Sequence, residues 1–139
     1  MMLKILIIDD DPAMTELVTL LLKTHGLDAY MANSGEDGLE LIHKISPDVV
    51  ILDLMMPGMD GWQVCTQVRS FSPVPILILS ALDSPGLVAR ALDGGADDYL
   101  IKPVPSGVLI AHLNTLTRRA AAERNNQQGL PIQIATQPV

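Results

Sequence analysis

Val49-Val50-Ile51-Leu52-Asp53-Leu54-Met55-Met56-Pro57-Gly58-Met59-Asp60-Gly61 is the stretch on which the fold turns. Its first four residues are aliphatic, with no polar residue between them. A strand with one face in water alternates, whereas an unbroken apolar run suits a strand covered on both faces, as in a parallel sheet. The run ends on a carboxylate, and the proline and two glycines that follow mark a turn-rich loop. An acid that terminates a buried strand must reach water, a cation or a hydrogen-bond donor. In open parallel sheets the ligand crevice lies outside the carboxyl ends of the strands. Asp53 is therefore the first candidate for a functional residue.

Outward from this stretch two periodicities alternate. Apolar runs recur at Leu3–Ile8 and Pro75–Leu79, with shorter ones at Leu27–Ala32 and Tyr99–Ile101. Between them the pattern is helical. Met14, Leu17, Val18, Leu21 and Leu22 make one face of a helix that Asp11 caps, Pro12 opens and Gly26 ends. Ser34 with Asp37 resembles a capping box for a helix through Gly38, Leu41, Ile42 and Ile45, which Pro47 stops. A third helix starts near Gly61 and turns Trp62, Cys65 and Val68 or Arg69 inward or half-inward. Ser84-Pro85 reads as a cap and first-turn proline for a helix carrying Val88, Ala91 and Leu92. The last helix opens near Pro105 or Ser106 and buries Leu109, Leu113 and Leu116. Five strands alternating with five helices predict an α/β fold, a doubly wound parallel sheet with helices on both faces.

The chain has 139 residues, 48% hydrophobic and 18% charged, which is the size and texture of one globular domain. Its net charge of -7 disfavours a binder of nucleic-acid backbones, and 3% aromatics leave no stacking platform for single strands. A single cysteine, Cys65, excludes an internal disulfide or a cysteine-rich metal site. No run is long enough for a membrane span and no signal-peptide layout opens the chain, so the expectation is a soluble, cytoplasmic protein. From about Ala120 the apolar stripe fades. Residues 1–122 are read as the domain and 123–139 as a linker or tail. Leu130–Val139 is β-like, and it fits either a solvated end or the lead into a second domain.

Functional residues are expected at the strand ends. The first strand closes in Asp9-Asp10-Asp11. Asp11 has a structural use as a cap, but Asp9 and Asp10 do not. With Asp53 they would form a like-charge cluster that a hard cation stabilises, and Mg2+ prefers such oxygen ligands. The fourth strand ends at Ser80, a hydroxyl able to donate to a phosphoryl oxygen. The fifth ends at Lys102-Pro103, placing a cation beside the acids through a bond that can be cis. Each element alone has a bland surface reading; the set on one edge does not.

Asp9-Asp10, the segment Leu52–Gly61, Leu79-Ser80-Ala81 and Gly95-Ala96-Asp97-Asp98-Tyr99-Leu100-Ile101-Lys102-Pro103 together resemble the motif set of bacterial response-regulator receiver domains, over residues 3–120 and in the same order. The resemblance implies a flavodoxin-like sheet of order 2-1-3-4-5. It also implies Asp53 as phosphoacceptor, Asp10 as a direct Mg2+ ligand (Mn2+ as substitute), Asp9 acting mainly through water, and the Met55 carbonyl as a further ligand. Ser80 and Lys102 would hold phosphoryl oxygens, Tyr99 would be the switch residue, and a sensor histidine kinase the donor. The Gly-Ala-Asp-Asp-Tyr stretch and Arg118-Arg119 resemble receivers attached to winged-helix DNA-binding domains. That implies a phosphorylation-dependent homodimer through the fourth helix, fifth strand and fifth helix. Val88, Val108 and His112 stand where that group carries charge, so a thinner ionic network is expected, with Asp97, Asp98 and Arg119 left to pair across the dimer.

Two other classes compete. Asp9-Asp10-Asp11 contains the Asp-x-Asp of aspartyl-phosphate hydrolases, in which a first-strand acid is the nucleophile and the loop after Asp53 has no role. A degenerate interaction module would lack an acid, the hydroxyl or the lysine, and all are present. His25 and His112 read as half-buried or surface groups, His43 as solvent-facing and Cys65 as a small apolar helix residue. Trp62 fits either an edge of the site or a partner contact.

Overall fold

Strand β1 (Lys4–Ile8) lies inside the sheet, paired in parallel with β2 (Asp28–Ala32) on one side and β3 (Val49–Leu52) on the other. Strands β4 (Ile76–Ser80) and β5 (Asp98–Ile101) extend it to the order β2-β1-β3-β4-β5, the one expected. The computed structural model describes residues 2–136, with side chains as far as residue 123. Helices α1 (Pro12–Thr24), α2 (Gly35–Ile45), α3 (Gly61–Arg69), α4 (Pro85–Asp93) and α5 (Ser106–Thr136) make the crossovers and the exit.

The aliphatic runs serve both faces. Leu6, Ile8, Val50, Leu52, Ile76 and Ile78 point into one core with Ile42 of α2, Val64 and Val68 of α3 and Ala91 of α4. Ile5, Ile7, Val49, Ile51, Leu77 and Leu79 point into the other, under α1 and α5, with Val18, Leu22, Leu109, Leu113 and Leu116. Every residue of β3 and β4 is buried, as an unbroken apolar run requires.

The local signals hold with instructive exceptions. Asp11 Oδ1 accepts from the Ala13 N–H, and Ser34 Oγ accepts from the Asp37 N–H, the forward half of the expected box. The reciprocal box forms at α3 instead: Asp60 Oδ1 accepts from the Gln63 N–H and Gln63 Oε1 from the Asp60 N–H, both at 2.9 Å. Ser84 makes no side-chain cap, so only Pro85 marks the start of α4. Leu17 and Leu92, expected inside, are 64% and 41% exposed. On α1 the buried face is Thr15, Val18, Thr19 and Leu22. Two threonines are small enough to sit against the sheet, and the face rolls away from Leu17, which periodicity read on hydropathy alone does not register. The β-like reading of Leu130–Val139 also gives way, since α5 runs on to Thr136 and residues 137–139 lie outside the described residues. The Ala120–Glu123 stretch is made largely of strong helix formers, and a short apolar stretch becomes a strand only beside a partner strand.

Candidate functional site

Chain order reverses between β1 and β3, so their carboxyl ends open the crevice of the sheet. Asp9 and Asp10 leave β1 there and Asp53 leaves β3. The backbone pins them: the Asp53 N–H donates to the Ile8 carbonyl at 2.9 Å and the Asp9 N–H to the Ala32 carbonyl at 3.1 Å. One carboxylate oxygen each of Asp9, Asp10 and Asp53 falls within 4.8 Å of the others. Asp9 and Asp53 are buried and Asp10 is exposed. Two unit charges of like sign about 5 Å apart repel by roughly 3 kcal/mol at an effective dielectric near 20. Positive charge nearby, or a proton on one of them, relieves that repulsion.

Lys102 supplies part of it. Its Nζ donates to Asp9 Oδ2 at 2.7 Å and lies 3.5 Å from Asp53 Oδ2. The Lys102-Pro103 bond is cis, and the Lys102 N–H donates to the Ser80 carbonyl at 2.8 Å. Burial pushes the Asp53 carboxyl above its usual range; Lys102 pulls it down, Asp9 raises it again, and the upward effects win. Burial alone would lower the Lys102 ammonium, but its hydrogen bond to Asp9 and the charge of Asp53 leave it above the ordinary lysine value. One lysine against three carboxylates still leaves the crevice negative. The donor set is all hard oxygen, with neither thiolate nor imidazole, so it fits a divalent cation of the Mg2+ type.

Ser80 is fully buried as the last residue of β4, and its Oγ accepts from the Leu82 N–H at 3.3 Å. The Tyr99 hydroxyl donates to the Leu82 carbonyl at 2.6 Å, so Leu82 is bonded to both side chains. Burial lifts the Tyr99 phenol above its usual value, and the charges of Asp53 and Asp83 add to the lift. Met55 lies on the rim, with its N–H 3.4 Å from Asp53 Oδ1 and its side chain exposed.

Sequence reading missed two supports. Asn33, one residue past β2, donates from Nδ2 to the Asp9 carbonyl at 2.8 Å and to Thr15 Oγ1 at 3.1 Å. The rule of looking at strand ends would have found it. Arg69 was not legible as a clasp: its guanidinium reaches the carbonyls of Gly95, Ser72 and Val74 and Asp97 Oδ2 at 2.8 Å. Asp97 is thus held within the chain. Asp98 Oδ2 lies 2.5 Å from His112 Nδ1, so within one chain Asp97 is paired with Arg69 and Asp98 with His112. Trp62 packs half-buried beneath the Arg90 guanidinium, 4.3 Å from the ring centroid, and not over the acids.

A doubly wound sheet with two acids and a third on its adjoining inner strands, and a hydroxyl and a lysine on the next two, defines the receiver class of two-component signalling proteins. The chain belongs to the response regulator receiver domain family, which it matches over residues 5–114. The DNA-binding response regulator MtrA of Mycolicibacterium smegmatis is 40% identical over 116 residues, 84% of this chain and 51% of that protein. The transcriptional regulatory protein AfsQ1 of Streptomyces coelicolor is 40% identical over 119 residues, 86% of this chain and 53% of that one. The receiver domain of the Francisella response regulator 1452 superposes with a TM-score of 0.80 at 36% identity, covering 84% of this chain and 98% of that domain. The chain spans about half the length of MtrA and AfsQ1.

Proposed function

We propose that Asp53 accepts a phosphoryl group from the histidine of a sensor kinase and that the resulting acyl phosphate switches the face formed by α4, β5 and α5. The observation that carries this is the buried Asp53 carboxylate, 3.5 Å from the Lys102 ammonium and clustered with Asp9 and Asp10. A carboxylate oxygen of Asp53 forms the new P–O bond as the P–N bond to the donor imidazole breaks; its electron pair stays on that nitrogen, which takes up a proton. The reaction asks for alignment and charge neutralisation more than covalent work by the protein. Mg2+, held by Asp10, Asp53 and the Met55 carbonyl and steadied by Asp9 through water, would neutralise phosphoryl oxygens. Lys102 would exchange its contact with Asp9 for one with a phosphoryl oxygen, and Ser80 would donate to another.

The readout follows from the link through Leu82. If Ser80 Oγ turns to the phosphoryl group, the Leu82 N–H loses its acceptor, and the Leu82 carbonyl that holds the Tyr99 hydroxyl is free to move. Tyr99 then biases two arrangements of one fold, a population shift. The target face exposes Leu92, Ile101 and Val108 at 40–45%, while its acids Asp97 and Asp98 are paired within the chain. A symmetric dimer there would be more apolar than ionic. In this reading residues 1–122 are the receiver and 123–139 lead toward an output module, through which transcription is controlled. The receiver itself works in the cytoplasm, binds no nucleic acid and catalyses only its own phosphorylation and dephosphorylation. No described helix is long and apolar enough to cross a membrane.

Phosphotransfer is tested by mass spectrometry after incubation with acetyl phosphate and Mg2+, which should add one phosphoryl group at Asp53. Coupling is tested by sedimentation. Beryllofluoride with Mg2+ should tighten dimerisation of the wild type at least about tenfold, or about 1.4 kcal/mol. Lys102→Ala should fold but stay monomeric under the same treatment. A wild type that remains monomeric would remove the dimer, and a Lys102→Ala dimer would remove the coupling role of the lysine.

A further inference from the structure

An open groove of about 600 Å3 lies between α3 and α4, away from the acidic crevice. Leu54, Cys65, Ile78 and Ala91 form its floor, each 3% exposed or less. The rim includes the exposed Thr66 of α3 and Arg90 of α4. A cavity of this size, apolar below with a few polar groups converging above, has the character of a small-molecule site.

An exposed cation and an enclosed donor specify the chemistry. Arg90 lies over the Trp62 ring and, among the described residues, forms no ion pair, although the chain carries 16 acidic side chains against 9 basic ones. Its guanidinium can offer two parallel N–H donors to a carboxylate while its face stays on the indole. Trp62 Nε1 is enclosed without an acceptor. An enclosed donor left unpaired is costly, and an acceptor entering beside the indole would remove that cost. The Cys65 thiol adds no reactivity: burial pushes it up, and it donates to the Gly94 carbonyl.

We propose that the α3–α4 groove binds a small organic acid, its carboxylate on Arg90 and its apolar body on Leu54, Ile78 and Cys65. Such a ligand bridges α3, which starts beside Asp53, to α4, which precedes β5. Binding is independent of Asp53 chemistry, so the groove and the phosphoacceptor stand or fall separately.

The chain has one tryptophan, so the Trp62 indole N–H gives a single cross-peak in a 15N-labelled sample. Titration with cyclohexanecarboxylate should move that peak saturably at millimolar concentration or below. Cyclohexanecarboxamide, the same body without the charge, should bind at least tenfold more weakly. Arg90→Ala should weaken binding of the carboxylate at least tenfold. Thr66→Phe, at an exposed helix position where the ring fills the groove mouth, should abolish the shift while leaving the rest of the spectrum folded. No saturable shift of the wild type, equal binding of acid and amide, or unchanged affinity in either variant would overturn the site. An Arg90-dependent dimer of the unliganded chain in sedimentation would give the groove to a second copy and overturn it as well.

Discussion

Asp53→Asn should yield no acyl phosphate. Wild-type protein incubated with acetyl phosphate and Mg2+ should gain the mass of one phosphoryl group, and addition of a chelator should prevent the gain. The variant should show at least about a thousandfold less labelling, because an amide oxygen at the same place is a far poorer nucleophile than a carboxylate. Asp9 and Asp10 remain nearby in the variant, which makes the experiment decisive between the two phosphoryl chemistries. Labelling retained at Asp9 or Asp10 would favour the aspartyl-phosphate hydrolase reading and sink Asp53 as nucleophile.

The same variant has a second consequence that does not depend on phosphate. Folding raises the Asp53 pKa, chiefly through burial, so the native state holds the proton more readily than the unfolded chain. The ionised carboxylate therefore costs native stability at neutral pH. As pH falls through the raised value that cost is relieved, and relief is complete below the unfolded carboxylate range near 4. Asparagine does not titrate. Without divalent cations, Asp53→Asn should melt higher than wild type at pH 7, by roughly 1 kcal/mol or about 3–5 °C. Calorimetry should show the gap closing as the pH is lowered. A variant that melts lower at pH 7 would contradict the electrostatic account of the crevice.

Gly61→Ala is the second large effect. Gly61 is the first residue of α3, and its N–H donates to the Leu54 carbonyl at 3.0 Å. A Cβ there would lie 2.3 Å from the Asp53 carbonyl oxygen and 2.6 Å from Leu54 Cα, both backbone atoms that cannot rotate aside. Either α3 backs away or the Asp53–Leu54 backbone shifts. The expected loss is about 2–4 kcal/mol, seen as a melting temperature lower by roughly 10 °C. Labelling should fall by at least about tenfold even in the folded fraction, because a displaced nucleophile loses alignment. Gly58→Ala is the control. Its φ of +74° disfavours a side chain, but no atom lies within 4 Å of the added Cβ. It should cost only about 1 kcal/mol and leave labelling nearly intact. Equal losses in the two variants would mean that contact with the Asp53 backbone is not what Gly61 is for.

Much of this site could be read from the chain because strand ends are local events. An aliphatic run followed by Asp9, Asp53, Ser80 or Lys102 announces both the strand and the side chain that leaves it, and the sheet order then brings the four together. Asn33 obeys the same rule, but its strand opens on Asp28 and buries only Ala29 and Ala32, so no aliphatic run announces it. Arg69, Asp97 and His112 are different. Arg69 and Asp97 are 28 residues apart and the pair is made by the way α3 meets β5, so no local pattern marks it. The exposed face of α1 escaped for a related reason, since hydropathy cannot tell which side of a helix with both leucines and threonines meets the sheet.

The order of strands and helices, the acids at the crevice and the lysine-proline end of β5 were determined by the sequence itself, through unbroken aliphatic runs, the helical period of 3.6 residues and the need of each buried strand to surrender its polar end to something. Tertiary structure alone decided which charges neutralise which. It gave Lys102 to Asp9, Asp97 to Arg69 and Asp98 to His112, and among the described residues it left Arg90 on Trp62 with no acid. The reason is physical. Periodicity is a property of neighbours along the chain, whereas an ion pair depends on a few ångströms between atoms that the chain order keeps far apart, and only packing sets that distance.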